Sequence, residues 1–104
     1  MNYRLILGWN VRRGRLALNL SQEKFAADAG IGEQGSVSEL ERGAGNPTYK
    51  TIAGAAKALG LAIPDLFSDT DVPSEVKNGA EDKVWDDDEI RALSKKYLPR
   101  SRPG

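Results

Sequence analysis

The chain is 104 residues long, enough for one compact domain and a short appendage but not for two domains of ordinary size. It contains no Cys and no His, which removes disulfides, thiolate nucleophiles, the usual zinc ligand sets and imidazole acid–base catalysis. Its 15 basic and 15 acidic residues cancel, which argues against a strong sequence-independent grip on a polyanion unless the charges are segregated.

They are segregated. Residues 1–60 hold 8 Lys/Arg against 5 Asp/Glu, and residues 61–104 hold 7 against 10, so the two parts carry +3 and −3. A mildly basic head with an acidic appendage follows. The apolar triplet Leu5-Ile6-Leu7 is too short for a signal-peptide core, and no stretch approaches about 20 apolar residues. The protein is expected to be soluble, cytoplasmic and without membrane contact. A head of about 60 to 70 residues buries only roughly 60% of its unfolded surface, so its stability is expected to be modest.

Over residues 4–18, Leu7, Val11 and Leu18 fall on one helical side and Arg4, Arg12, Arg13 and Arg15 elsewhere, which predicts a first helix. Gly14 inside it costs about 1 kcal/mol relative to Ala. Asn19 tolerates the left-handed conformation that ends a helix, and Leu20 then folds back onto the core. Arg12, Arg13 and Lys57 are read as ordinary solvated residues.

Ser21 caps a second helix running to Ala29, with Phe25, Ala26 and Ala29 as its apolar stripe. Gly30 closes it, Ile31 plugs inward, and Gly32 with Glu33 opens a third helix whose inward face is Val37 and Leu40. A loop through Gly43, Gly45, Asn46 and Pro47 leads to Thr48, the cap of a fourth helix reaching Leu59 and ended by Gly60. Ile52, Ala55, Ala56 and Leu59 are its buried side. Ile63-Pro64-Asp65-Leu66-Phe67 predicts a short fifth helix with Pro in its first turn.

Residues 68–83 turn polar, include Pro73 and Gly79, and keep no periodicity, so a linker is expected. Asp86, Asp87, Asp88 and Glu89 then precede Ile90, Leu93, Tyr97 and Leu98, with Lys95 and Lys96 last. Acid at the start and base at the end suit the helix dipole, which predicts a terminal amphipathic helix stopped by Pro99. It either pairs with a partner or folds back on its own domain. Tyr3, Trp9, Trp85 and Tyr97 are assigned to packing, because no cluster of aromatics with basic residues recurs. The organisation is a head over residues 1–69, a polar linker over 70–83, and an amphipathic helix with a disordered end over 84–104.

Leu20-Ser21-Gln22-Glu23, Ala26, Gly30, the run Val37-Ser38-Glu39-Leu40-Glu41-Arg42-Gly43, Asn46-Pro47 and Ala58-Leu59-Gly60 together resemble the lambda-repressor-like (phage repressor and Cro, or XRE) helix-turn-helix family. The likeness spans residues 7–67. It implies an all-α, compact five-helix DNA-binding domain with a C-terminal linker and amphipathic helix, whose third helix enters the DNA major groove. By the same resemblance, Gln22 touches a phosphate and buttresses the recognition helix, and Arg15 and Glu41 form a partly buried ion pair that fixes its angle.

Counting back from Val37, the groove-facing positions are Gln34, Gly35 and Ser36, with Glu39 one turn on. Gly35 has no side chain, so Gln34 and Glu39 are the main candidates. Gln can bond the N6 and N7 edge of adenine, and a carboxylate can accept from cytosine N4. The alternative reading of Glu39 is a solvent-facing carboxylate that repels phosphates. Between Gly30 and Val37 the chain carries one residue more than the family's common spacing, so residues 33–36 are expected to form a longer turn, which a surface loop absorbs cheaply. Arg42, Asn46, Thr48 and Lys50, with helix-start amides, are the expected phosphate contacts.

The resemblance implies a sequence-specific double-stranded DNA-binding transcriptional regulator, a repressor acting as a homodimer on a palindromic operator in the nucleoid. The alternative is an antitoxin that holds a partner protein through residues 70–104 and regulates its own operon. An enzyme is not expected: there is no phosphate-cradling glycine loop with its lysine and no nucleophile beside a base. Asp86 to Glu89 point in different directions on a helix and cannot converge on a cation, so neither metal nor cofactor is expected.

Overall fold

In the computed structural model, residues 2–32, 34–79 and 85–93 are described, with every side chain among them except those of residues 34 and 35. These residues form helices and turns and no strand. The order is α1 (Tyr3–Ala17), α2 (Gln22–Ala29), α3 (Gln34–Glu41), α4 (Tyr49–Leu59), a 3-10 helix (Ile63–Phe67), α5 (Ser74–Lys77) and α6 (Asp87–Leu93).

Helix α1 is the axis of the molecule. Asn2 starts it by accepting a hydrogen bond from the Leu5 amide, which supplies a partner to one of the donors every helix start leaves over. Leu7 and Val11 face the cluster made by α2, α3, α4 and the 3-10 helix, where Phe25, Val37, Leu59 and Leu66 are buried. Ile6, Trp9 and Leu16 face the other way and are buried too. Leu18, expected on the core side, is instead an exposed C-cap residue, because the chain turns at Asn19 in the left-handed region.

Two glycines set how closely the helices approach. A Cβ on Gly8 would lie 2.6 Å from the carbonyl oxygens of Leu40 and Glu41, so α1 rests directly on the end of α3. A Cβ on Gly54 would run into the Ala29 carbonyl, which lets α4 cross the end of α2 at backbone contact. Gly14 also has a packing reason: a Cβ there would sit 3.0 Å from both Leu59 methyls. The intrinsic helix cost of Gly14 is thus offset by the room it leaves for a buried Leu.

The second face of α1 is covered by the C-terminal part of the chain. Val72, Val76 and Ile90 are buried against Ile6, Trp9 and Leu16, and Trp85 meets Trp9 edge-to-face with ring centroids 5.1 Å apart. The Asn2 amide donates to the Lys77 carbonyl at 2.9 Å, and Arg12 donates to the Asp87 carboxylate at 2.6 Å. So α6 folds back on its own domain. The stretch expected as featureless linker holds a one-turn helix, α5, because Val72 and Val76, four residues apart across Pro73, both find α1. Tyr97 and Leu98 lie outside the described residues.

The covering also overturns the reading of Arg12 and Arg13 as solvated. Arg13 is buried and donates to Asn10 Oδ1 at 2.6 Å, while Asn10 Nδ2 donates to the Leu66 and Ser68 carbonyls at 2.9 Å each. This polar network ties α1 to the end of the 3-10 helix. Lys57 is exposed as expected.

Candidate nucleic-acid interface

The unit over residues 21–43 is built from local rules. Ser21 Oγ accepts from the Lys24 amide at 3.0 Å and starts α2. Gly30 stops it with φ +71°, a conformation a side chain rarely adopts, and its neighbour Ile31 turns into the core. Helix α3 begins at Gln34, so residues 34–36 are helical rather than part of a longer turn. With Val37 and Leu40 anchoring the inner face one turn apart, the helix extends a further turn toward its N-terminus, and the turn between the helices stays short.

On α3 the two faces differ sharply. Val37 and Leu40 are 0% and 3% exposed, while Ser36 and Glu39 lie on the open side. Gln34 sits in the first turn of α3, and its side chain is outside the described part of the structure. The Glu39 carboxylate does not project freely. A Cβ on Gly45 would lie 3.2 Å from Glu39 Oε2, so this oxygen is folded against the loop after α3.

The angle of α3 is held by a buried ion pair joined by a half-buried glutamine. Arg15 Nε and Nη2 donate to the two Glu41 carboxylate oxygens at 2.6 and 3.0 Å, and their side chains are 7% and 3% exposed. Arg15 Nη1 also donates to the Leu20 carbonyl at 2.8 Å. Gln22 Nε2 donates to Glu41 Oε1 at 3.1 Å. One carboxylate at the end of α3 is therefore gripped by α1 and α2 together, and the two-pronged guanidinium fixes its orientation.

The remaining positions lie just after α3 and at the start of α4. Arg42, Asn46, Thr48 and Lys50 are all exposed. Thr48 Oγ1 accepts from the Thr51 amide at 3.2 Å, which starts α4. Tyr49, 75% exposed in the first turn of α4, was not singled out from the sequence. Its signal was there: a large aromatic that follows a helix cap and stands outside the apolar stripe has no core to enter. Arg4 was also missed. Its Nη1 donates to the Gly45 carbonyl at 3.0 Å, a contact between residues 41 positions apart that no local pattern announces.

The chain contains the pieces of a DNA-reading head: a supporting helix, a short glycine turn, and a second helix with an open outer face. The family model for the helix-turn-helix matches residues 11–66. An uncharacterized HTH-type transcriptional regulator, y4dJ of Sinorhizobium fredii, is 39% identical over 71 residues, covering 68% of this chain and 91% of its own. The control protein C.BamHI of Bacillus amyloliquefaciens is 38% identical over 72 residues, covering 68% and 88%. The control protein C.SmaI of Serratia marcescens is 40% identical over 70 residues, covering 65% and 80%. No solved structure matches the chain significantly. Among the described residues no helix is long and apolar enough to cross a membrane. The chain belongs to the lambda-repressor-like (XRE-type) helix-turn-helix family of DNA-binding transcriptional regulators.

Proposed function

We propose that the protein is a sequence-specific repressor that binds double-stranded DNA as a homodimer on a palindromic operator, with the start of α3 in the major groove. The observation that carries this is the contrast across α3: an outer edge with Ser36 and Glu39 solvent-exposed, the Glu39 carboxylate resting beside Gly45, on a helix whose angle is locked by the buried Arg15–Glu41 pair and by Gln22. A rigid helix presenting polar side chains is what base readout requires. Gln34, Ser36 and Glu39 are the proposed readers. Gln22, Arg42, Asn46, Thr48 and Lys50 position the head on phosphates, joined by the Tyr49 hydroxyl and the amides that start α2 and α4. The control-protein names of two relatives accord with a regulatory role. The setting is the cytoplasm and its nucleoid, and the head over residues 1–69 is the part that meets DNA.

Selection of bound sequences from a random duplex pool tests this. A motif with two-fold symmetry and half-sites about one helical turn apart is expected. Gln34→Ala and Glu39→Ala then relax the preference at different positions, each by about 1 to 3 kcal/mol. No enrichment, or enrichment that both variants leave unchanged, defeats the proposal.

A second reading, in which residues 70–104 take a partner protein as an antitoxin takes its toxin, draws on one feature. The family match stops at residue 66, and beyond it Leu93 on α6 is 54% exposed. Since Val72, Val76 and Ile90 cover α1, removing the whole segment would damage the fold; Leu93→Lys is the cleaner probe. Loss of a co-purifying protein with DNA binding intact supports this reading, and no such protein in the wild type opposes it.

A further inference from the structure

We propose that Arg4, in the first turn of α1, is a positioning residue for DNA binding: it braces the loop between α3 and α4 and through it sets both Glu39 and the start of α4. The inference rests on the DNA-binding reading above and extends it to a residue that lies before the stretch matched by the family model.

Three contacts converge on this loop. Arg4 Nη1 donates to the Gly45 carbonyl at 3.0 Å. Gly43, at φ +72°, is packed so closely that a Cβ there would lie 2.6 Å from Leu5 Cδ2 and 3.3 Å from the Arg4 carbonyl oxygen. Glu39 Oε2 rests over Gly45, itself at φ +70°. A loop with two left-handed glycines is intrinsically loose, since glycine gives up more conformational freedom on ordering than any other residue. Its own hydrogen bonds are few: Gly43 N–H to the Leu40 carbonyl at 3.2 Å and Ala44 N–H to the Glu39 carbonyl at 2.9 Å. The bond from Arg4 is the long-range one that fixes where Gly45 stands relative to α1.

That position matters because the loop lies between two DNA-facing elements. Upstream is Glu39, one of the proposed readers, whose carboxylate rests beside the same Gly45 that the Arg4 guanidinium holds. Downstream are Asn46, Thr48 and Tyr49, whose placement sets the first turn of α4. A guanidinium already committed to a backbone carbonyl acts here through the loop rather than by gripping a phosphate itself.

The test compares Arg4→Met, which keeps the stem without a donor, with Arg4→Lys, which restores one donor. Because Arg4 is exposed, both variants are expected to fold with melting temperatures close to wild type. Against the duplex enriched from the random pool, Arg4→Met is expected to bind about threefold to tenfold more weakly, and Arg4→Lys to recover most of the loss. The slope of log affinity against log salt is expected to be the same in all three proteins, because no phosphate contact is removed. In the free protein, amide exchange at Gly43 and Ala44 is expected to quicken in Arg4→Met and not in Arg4→Lys. Wild-type affinity in Arg4→Met overturns the proposal. So does a slope reduced by about 0.9, the mark of a lost direct phosphate contact. Failure of the wild type to bind any duplex defeats the DNA reading instead, and the exchange data then still judge the brace.

Discussion

Removing the charge of Glu41 while keeping its shape, by Glu41→Gln, strikes the cluster that sets the angle of α3. In the wild type the carboxylate receives two bonds from Arg15 at 2.6 and 3.0 Å and one from Gln22 at 3.1 Å, and its side chain is 3% exposed. Substitution leaves the Arg15 guanidinium, 7% exposed, buried without its counter-charge. Breaking a buried pair by removing one partner costs about 3–5 kcal/mol. Against the roughly 5–15 kcal/mol that holds a small domain together, this is a large fraction. At about 4–8 °C per kcal/mol for a domain of this size, the lower figure predicts a fall in melting temperature of about 12–24 °C. Thermal melts followed by helical circular dichroism measure it. The fall should persist at high salt, because a buried pair is poorly screened. Combining Arg15→Met with Glu41→Leu should recover much of the loss, since apolar residues of similar volume often replace a buried pair without cost. A fall below about 4 °C for Glu41→Gln would mean that the pair behaves as a surface one, and the locked angle of α3 would have to be abandoned.

Gly54→Ala should be severely destabilising, because its Cβ would meet the Ala29 backbone carbonyl and force α2 and α4 apart; a urea midpoint close to wild type would contradict the close crossing. Ile90→Ala should cost about 2–5 kcal/mol in urea denaturation and alter the fluorescence of the Trp9–Trp85 pair; a silent substitution would mean that α6 does not rest on α1 in solution. The hydrogen bond from Arg12 holds the Asp87 carboxyl below its ordinary range. A carboxyl lowered in the folded state contributes stability above its unfolded pKa and loses it as pH falls through the folded value, so docking of α6 should weaken only in acid, below the ordinary carboxylate range. Asp87→Asn should therefore reduce the melting temperature slightly at neutral pH and converge with wild type in acid. Equal melting temperatures at neutral pH would dismiss the Arg12–Asp87 contribution.

The parts of the fold that were legible in the sequence are those written in short-range chemistry. Ser21 and Thr48 as caps, Gly30 and Asn19 as left-handed stops, and the inward Val37 and Leu40 each need only neighbouring residues to be understood. The contacts between Arg15, Gln22 and Glu41 could be anticipated only from the family likeness, since nothing local brings residues 26 positions apart together. What escaped lies around α1. A periodicity argument assigns a helix one apolar side, whereas α1 is covered on two, and so Arg13 looked solvated and Ile6, Trp9 and Leu16 had no stated partner. Helix α5 is a single turn, too short for any period to register. At the start of α3 the glycine signal at Gly32 agrees with a helix from Gln34, whereas the spacing argument that put residues 33–36 in a longer turn fails at residues 34–36, which are helical.

Whether α3 meets DNA through its first turns is decided most directly by following backbone amide resonances while the enriched duplex is added to the full chain. The largest shifts are expected over residues 36–39, the first turn of α2 and residues 46–51, with α5 and α6 unmoved on the far side of α1. Shifts concentrated on α5 and α6, or none along α3 when the duplex is bound, would contradict the placement of the reading edge.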